Sequence, residues 1–367
     1  MNETRACALL ARAPGLDAQR LRACVAELGC IERVAEGHEA ACARLLPARA
    51  LLFLAAPPAS LIEADLRWLE ASGARLIPCT SPDYPPALAA LARAPAVLYV
   101  LGNPHALRTP QIAMVGARSA TAAGRATAAQ FAAAFARAGL TVVSGLALGI
   151  DTASHAGALE GGGLTVAVCG HGLAHLYPRE NRVLARRIRA RGALLSALPP
   201  HAPVRPWHFP ERNRLISALA LATLVVEAGH GSGSLITARC ARQLGRRVFA
   251  VPGSIRDPAA RGCHELIRGG ATLIESPADV LQELGIPFDN QMLAETQVTA
   301  SSSRPRGPPL DKAYEMLLDA LGFEPASLDQ LGARTGIPSA ALTGMLLMLE
   351  LGGRVAPHPG GCYCRLS

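Results

Sequence analysis

The stretch VVEAGHGSGSLITAR (225–239) ends an apolar run, passes through three glycines and continues into a segment that can start a helix. A glycine-rich turn between a buried strand and a helix N-terminus is a common way of binding a phosphate. The same order of apolar run and helical stretch recurs from 111 to 285. The six apolar runs are IAMVG (112–116), LTVVSG (140–145), TVAVCG (165–170), ALLSAL (193–198), TLVVEA (223–228) and RVFAVPG (247–253). This alternation predicts a doubly wound α/β domain with a mostly parallel sheet.

The chain divides into further regions on either side of this domain. Residues 1–76 carry apolar residues at helical spacing and predict a small helical domain of the SAM or helix-hairpin-helix kind. The proline-rich start at 81 opens the α/β domain, which we place at 81–288. Residues 289–309 are rich in Ser and Pro and predict a linker. Residues 310–367 predict a helix–turn–helix followed by a hairpin, which is a winged-helix-like pattern.

The composition restricts the classes of protein. The chain has 367 residues, half of them hydrophobic, and a net charge of +8 in which Lys312 is the only lysine. Arginine suits phosphate and a basic balance favours a polyanionic partner, although biased codon usage explains most of the Arg/Lys ratio. No apolar run is long enough for a membrane span, and the N-terminus does not resemble a signal peptide. Ten scattered cysteines without zinc spacing favour a reducing cytoplasm, no metal and no disulfide framework.

Small residues follow five of the six predicted strands. The segments are GARSATAAG (116–124), SGLALGIDTASH (144–155), CGHGLAHLYPRENR (169–182), VVEAGHGSGSLITAR (225–239) and VPGSIRD (251–257). Small residues let backbone N–H groups approach an anion, and a helix N-terminus adds a favourable dipole. Because the carboxyl ends of parallel strands share one edge, the five turns predict an extended groove for a polyanion.

Motifs for nucleotide cofactors and catalysis are incomplete. Ser234 stands where a third glycine of a dinucleotide-binding turn belongs, and no lysine follows a glycine as a P-loop requires. We therefore expect no cofactor. Asp151 and His155 are one helical turn apart. They are either an acid–base pair or, as we favour, a helix cap and a residue near the helix surface.

Two arginine-rich segments favour nucleic acid. One places Arg179, Arg182, Arg186 and Arg189 on one predicted helix face, which is either a basic stripe or an ordinary solvated face. The other, RPWHFPERNR (205–214), places Trp207 and Phe209 among arginines. Aromatic rings between guanidinium groups suit single strands, whose bases stack and whose phosphates need cations. The alternative for Trp207 is a plug in the core beneath the sheet.

Six ordered motifs over about 81–285 resemble the DprA family, also called Smf or DNA-processing protein A. They are MVGAR (114–118), SGLALGID (144–151), GHGLAHLYPREN (170–181), FPERNRLIS (209–217), VVEAGHGSGSLITA (225–238), and AVPGS (250–254) with GCHELIRGGA (262–271). The chain departs from the family pattern at Ala197, where glutamate is common, at Ala218, where glycine is usual, and before Phe209, where a lysine is often found. Arg205 is the candidate to supply that charge.

The resemblance implies an extended Rossmann domain that binds single-stranded DNA. It implies a cytoplasmic, non-enzymatic recombination mediator that loads the RecA recombinase during natural transformation. RecA would be loaded onto incoming strands, including strands coated by single-strand binding protein, and the Rossmann domain would form a homodimer. In the implied interface Phe209 contacts a base. Phosphates are held by the turns at Gly116, Arg118 and Ser119, by backbone amides at Ser144, Gly145, Ala147 and Gly149, by Arg212, Asn213 and Arg214, and by Ser232, Gly233, Ser234 and Thr237.

Two other functions remain as alternatives. A Rossmann-type phosphoribohydrolase acting on nucleoside monophosphates would use Glu227 as its acid, but the sequence shows no PGGxGTxxE-like arrangement. In the other alternative, the C-terminal module binds DNA. Its expected recognition helix (339–353) has no Lys or Arg, so we expect this module to bind protein or to pack against the rest of the chain.

Overall fold

The structure, a computed structural model, describes residues 1–288, 311–322, 325–358 and 360–365. The predicted linker at 289–309 lies outside the described residues. Among the helices that the structure describes, none is long and apolar enough to cross a membrane.

The first part of the chain is helical, as its apolar spacing predicts. Asn2 and Asp17 cap the first two helices through their side chains, and Gly29 and Gly73 end helices in the left-handed region. The buried carboxylate of Asp65 accepts a hydrogen bond from Arg12 at 2.6 Å, which fixes the last of these helices against the first. The helices are α1 (Glu3–Arg12), α2 (Ala18–Leu28), α3 (Ile31–Glu36), α4 (Ala40–Leu45), α5 (Ala48–Ala55) and α6 (Ala59–Ser72).

A nine-stranded sheet forms the centre of the molecule. Its order is β1-β2-β6-β5-β4-β3-β7-β8-β9, and all neighbouring pairs from β6 to β9 in that order are parallel. The strands are β1 (Arg75–Pro78), β2 (Val97–Gly102), β3 (Gln111–Val115), β4 (Thr141–Ser144), β5 (Thr165–Val168), β6 (Ala193–Ser196), β7 (Ala222–Val225), β8 (Arg247–Ala250) and β9 (Thr272–Leu273). The six predicted strands are β3 to β8.

Helices cover both faces of the sheet. Residues of β3, β4 and β7 with odd numbers, such as Ala113 and Val143, pack against one helical layer and the N-terminal helices. Residues with even numbers, such as Met114 and Val142, pack against the other layer. The helices are α7 (Ala122–Arg137), α8 (Ile150–Glu160), α9 (Arg182–Arg191), α10 (His208–Leu219), α11 (Gly233–Gln243), α12 (Arg261–Arg268) and α13 (Pro277–Glu283).

The arrangement of connections sets the position of the site. From β3 the chain moves outward through β4 and β5 to β6, and then crosses to β7 on the other side of β3. In the first layer lie α10 and α11, whereas α9 belongs to the second layer. The turns that follow β3, β4, β5 and β7 therefore meet at one edge of the sheet, where ligands of such folds bind.

The C-terminal module has its own apolar core, which is built from residues such as Leu317, Leu331 and Leu346. A capping box at Ser327 starts the second of its three helices. The helices are α14 (Lys312–Leu321), α15 (Leu328–Thr335) and α16 (Ser339–Leu351), and a three-stranded sheet joins β10 (Ala326–Ser327), β11 (Val355–His358) and β12 (Cys362–Arg365). The helix–turn–helix and hairpin of the prediction are both present.

Candidate nucleic-acid interface

A shallow pocket opens at the carboxyl edge of the sheet, beside the ends of β3, β4 and β5. Its lining comes from four segments that are distant in sequence: the turn after β3, the loop before α8, the segment after β5 and the start of α10. The lining residues are Arg118, Gly145, Ala147, Leu148, Gly170, His171, Tyr177, Pro178, Phe209 and Arg212.

Phe209 is the aromatic centre of this pocket. The guanidinium carbons of Arg118 and Arg212 lie 5.7 Å and 5.5 Å from its ring centroid, within the range of cation–π contact. The Tyr177 ring lies 6.4 Å from the Phe209 ring and is inclined to it by 60°. An exposed guanidinium beside aromatic rings offers both a stacking surface for a base and a cation for a phosphate.

Arg212 is placed beneath the pocket rather than on its rim. It is 6% exposed, and its Nη1 donates to the Val168 carbonyl at 3.1 Å. Burial lowers the pKa of Arg212, an effect that the negative charge of Asp151 opposes. A Cβ at residue 145 would collide with the Arg212 guanidinium, so Gly145 is required for the two segments to pack. Arg212 therefore supplies positive charge to the floor of the pocket.

The loop between β4 and α8 is held by Asp151. Its carboxylate accepts hydrogen bonds from the backbone N–H groups of Gly145 at 3.0 Å and Ala147 at 3.2 Å. These are two of the amides that the sequence assigned to a phosphate, so in this structure they are already satisfied. Another predicted residue at this position, Ser144, is fully buried and donates to the Met114 carbonyl at 2.6 Å. Gly145 and Ala147 line the pocket, but through surfaces other than their N–H groups.

The prediction that Asp151 caps α8 and that His155 lies near its surface is wrong. Asp151 lies in the first turn of α8 and binds the preceding loop instead, and His155 is completely buried. Thr165 Oγ1 donates to the Val142 carbonyl at 2.7 Å, so the contact of 2.6 Å between Thr165 Oγ1 and His155 Nδ1 requires a proton on the histidine nitrogen. Burial lowers the pKa of His155 to about 3, which leaves it neutral.

Glu227 fixes the turn at the centre of the sheet, where the connections change direction. Its carboxylate accepts from the Thr121 backbone N–H at 3.1 Å and from the Thr121 hydroxyl at 2.9 Å. Gly124 approaches this carboxylate so closely that a Cβ there would collide with it, and a Cβ at Gly116 would lie 2.8 Å from the Glu227 carbonyl oxygen. The carboxylate thus holds β7 to the start of α7, and burial raises the pKa of Glu227.

The turn after β7 forms a separate site beside α10. Ser232 caps α11 by accepting from the Ser234 N–H at 3.4 Å, and Gly233 at the first helical position is exposed. Ser234 and Thr237 are buried, and the Thr237 carbonyl accepts from the Ser217 hydroxyl at 2.8 Å. This turn presents a helix N-terminus to solvent, but its residues do not line the pocket around Phe209.

The chain matches the family model of DNA recombination-mediator protein A over residues 75–285 and that of the DprA winged helix domain over 301–361. It is 40% identical over 310 residues to protein Smf of Escherichia coli, and the match covers 84% of this chain and 82% of that protein. The chain belongs to the DprA family. Its C-terminal module is the DprA winged helix domain.

Two solved structures of DprA proteins are similar to the chain. DNA processing protein A from Streptococcus pneumoniae aligns with a TM-score of 0.66 and 31% identity, covering 79% of this chain and all of that one. DNA processing protein A from Helicobacter pylori aligns with a TM-score of 0.53 and 27% identity, covering 57% of this chain and 95% of that one. The Helicobacter pylori protein has a unique single-stranded DNA binding mode.

Within this DprA fold, the structure brings together five of the predicted site residues and separates the others. Arg118, Gly145, Ala147, Phe209 and Arg212 share the pocket. Ser119 lies on the exposed turn after β3, Gly149 adopts a φ of +79° before α8, and Gly116 packs beneath them against Ile150.

Two polar neighbours of Phe209 on α10 have contacts of their own. Asn213 donates weakly to the Gly233 carbonyl at 3.5 Å, which links α10 to the turn before α11. Arg214 pairs with Glu211 and donates to the Ala92 carbonyl at 3.1 Å. Arg214 is thus oriented by the protein itself.

Several pocket residues, above all Tyr177, lie in a predicted turn of the groove but were not predicted individually as site residues. The sequence did contain a signal for them, because an aromatic residue and a proline, Tyr177 and Pro178, occur in the segment that follows β5. Trp207 and Phe209 occur in a similar proline-containing segment at the start of α10. Trp207 itself is 62% exposed, with the Arg205 guanidinium 5.0 Å from its ring centroid, so the alternative in which Trp207 is a plug in the core is wrong. An exposed tryptophan beside an arginine extends the aromatic and basic character of this DprA pocket.

Proposed function

We propose that this chain is a single-stranded DNA-binding recombination mediator that acts without catalysis. The observation that carries the proposal is the pocket in which Phe209 lies beside Arg118 and Arg212, with Tyr177 at its rim. A base whose face is exposed can stack on these rings, whereas a base inside a duplex cannot. The preference for single strands follows from this difference.

Membership of the DprA family supports the proposal in a second way. The Helicobacter pylori protein, which shares the fold, binds single-stranded DNA. For this chain we infer the corresponding role in DNA uptake: it binds incoming single strands, including those coated by single-strand binding protein, and loads RecA onto them. We further propose that it acts as a homodimer formed through the Rossmann domain.

Binding of labelled oligonucleotides tests the DNA interface. We expect single strands to bind more tightly than the matching duplex, with an affinity that falls as salt rises. Phe209→Ala should weaken binding by about 1–3 kcal/mol, the range for one base stack, and Phe209→Tyr should largely restore it. Arg118→Ala should lower the salt slope by about 0.7, the contribution of one phosphate contact on a single strand.

Equal binding of single strands and duplex, together with hydrolysis of a nucleoside monophosphate, would instead support the phosphoribohydrolase. The mediator role requires a separate assay. RecA filament formation on single strands coated by single-strand binding protein should accelerate when the chain is added, and it should not accelerate with the Phe209→Ala variant. Sedimentation at several concentrations tests the dimer.

A further inference from the structure

We propose that the arginine face of α9, formed by Arg182, Arg186, Arg187 and Arg191, binds the backbone of the DNA strand after it leaves the Phe209 pocket. This inference rests on the proposed function and extends it from a pocket to a path across the sheet edge. The ligand class is the sugar–phosphate backbone of single-stranded DNA, contacted without regard to sequence.

The packing of α9 determines which of its residues face solvent. Leu184, Ala185 and Ile188 are buried against the sheet, so the remaining positions point outward. All four arginines of the face are exposed, and Val183 between them is 68% exposed. No acidic residue occurs in the helix. The outward surface of α9 is therefore basic along its whole length.

In the part of the chain that the structure describes, these arginines form no ion pair with a carboxylate. Among the described residues, none of the ion pairs involves Arg182, Arg186, Arg187 or Arg191. Arg189, by contrast, turns towards the N-terminal helices and donates to the Ser72 carbonyl at 2.6 Å. Some exposed arginines elsewhere in the chain do have a carboxylate partner, as in the Arg33–Glu39 and Arg44–Glu27 pairs. The charge on α9 is thus available to an external anion.

The start of α9 is fixed to the pocket. Tyr177 and Pro178 line the pocket, and a short turn at Arg179–Asn181 leads directly into the helix. The Asn181 side chain donates to the Leu146 carbonyl at 2.9 Å and to the Thr152 hydroxyl at 2.9 Å, which ties this turn to the loop before α8. A strand that leaves the pocket past Tyr177 consequently meets Arg179 and then Arg182.

The two sides of the pocket define a direction for the strand. Helix α10, which carries Phe209, packs in the first helical layer, whereas α9 packs in the second. On the first side, Trp207 and Arg205 form an exposed pair in which a base can stack. On the second side, Arg182 and Arg186 are four residues apart, about 6 Å along the helix axis. The strand would cross the sheet edge with bases engaged at Phe209 and phosphates engaged along α9.

The test compares a short oligothymidylate, which covers only the pocket, with a long one. In the full chain we would measure both affinities across a salt series for the Arg182→Ala/Arg186→Ala variant. Alanine preserves the helix. The matched control is Arg246→Ala/Arg268→Ala, two arginines near the opposite edge of the sheet that form no ion pair among the described residues.

We expect the α9 variant to bind the long oligonucleotide about 10–30-fold more weakly near 0.1 M salt, with a salt slope lower by about 1.4, as the loss of two phosphate contacts requires. Its affinity for the short oligonucleotide should stay within about twofold of the parent, and the control should match the parent for both. If the α9 variant binds the long strand like the control, the path is wrong although the pocket stands. If the parent binds neither strand, the proposed function itself fails.

Discussion

The pocket depends on the absence of one side-chain atom directly after the end of β4. Gly145 carries no Cβ, and this absence makes room for the guanidinium of a buried arginine. The arginine, Arg212, satisfies one nitrogen on the Val168 carbonyl and lies beneath the Phe209 ring, which in turn contacts Arg118. A side chain at residue 145 should therefore shift the Phe209 ring by displacing Arg212.

We predict that Gly145→Ala weakens single-stranded DNA binding by about tenfold or more, because displacing Arg212 leaves a buried charge without its partners and shifts Phe209. The matched control is Gly344→Ala in α16, where a Cβ would meet open space and alanine favours the helix. Oligonucleotide affinity and thermal unfolding would be measured for both. Parent-like DNA binding by Gly145→Ala would show that the position of Arg212 is unimportant for the interface.

For single residues, the sequence predicts which residues belong to the site better than it predicts where their side chains lie. The FPERNR motif marks Phe209 and Arg212 correctly as members of the site. It does not predict that Arg212 is buried, because that outcome depends on a glycine far away in the chain. Similarly, nothing in the sequence pairs the amides of Gly145 and Ala147, and only the fold shows Asp151 accepting their hydrogen bonds.

The strands of the central sheet follow from the sequence except β1, β2 and the two-residue β9. Six apolar runs bounded by glycine predict β3 to β8, since buried parallel strands need continuous apolar residues. The antiparallel strands β1 and β2 were not predicted. The first ends at Pro78 and the second follows a proline-rich stretch, and their pairing depends on the edge that β6 offers once the sheet has formed.

Helix α8 carries a buried titratable group that should make the fold sensitive to acid. His155 has a pKa of about 3 in the folded chain, against about 6.5 when unfolded. As the pH falls below 6.5, the unfolded chain binds a proton that the folded chain refuses. The stability from this group is therefore complete above pH 6.5, and it is lost at about 1.4 kcal/mol per pH unit between 6.5 and 3.

We predict that His155→Gln removes this dependence, which amounts to about 2–3 kcal/mol between pH 6.5 and 4.5. Denaturant unfolding at a series of pH values measures it. The raised pKa of Asp151 acts in the opposite direction and the lowered pKa of His171 in the same direction. Only the difference between parent and variant therefore isolates His155. His38→Gln, at an exposed histidine, serves as the matched control. If His155→Gln lost as much stability as the parent when the pH falls from 6.5 to 4.5, the attribution of this pH dependence to His155 would be wrong.

At the scale of the whole molecule, the central sheet and the C-terminal module have separate cores and differ in their surface chemistry. The pocket, the arginine face of α9 and the turn before α11 all belong to the central sheet. The C-terminal module has a core of its own, and α16 contains neither Lys nor Arg. The outward side of α16 instead exposes Leu347, Met348 and Leu351. A helix of this kind lacks the donors that a nucleic acid requires, which supports the proposal that DNA binds at the central sheet.

We predict that a chain ending at residue 288 binds single-stranded DNA with an affinity within about twofold of the full chain, because none of the lining residues of the pocket lies beyond this point. Thermal unfolding provides the necessary control: the shortened chain should keep the main transition, since the C-terminal core contributes no residue to the central one. The substitution Leu351→Lys in the full chain adds a second control, because a new cation on α16 should leave the short-strand affinity unchanged. A large loss of affinity in a shortened chain that still unfolds cooperatively would place part of the DNA interface on the winged helix domain. The apolar side of α16 would then have to be reconsidered as a surface near the strand.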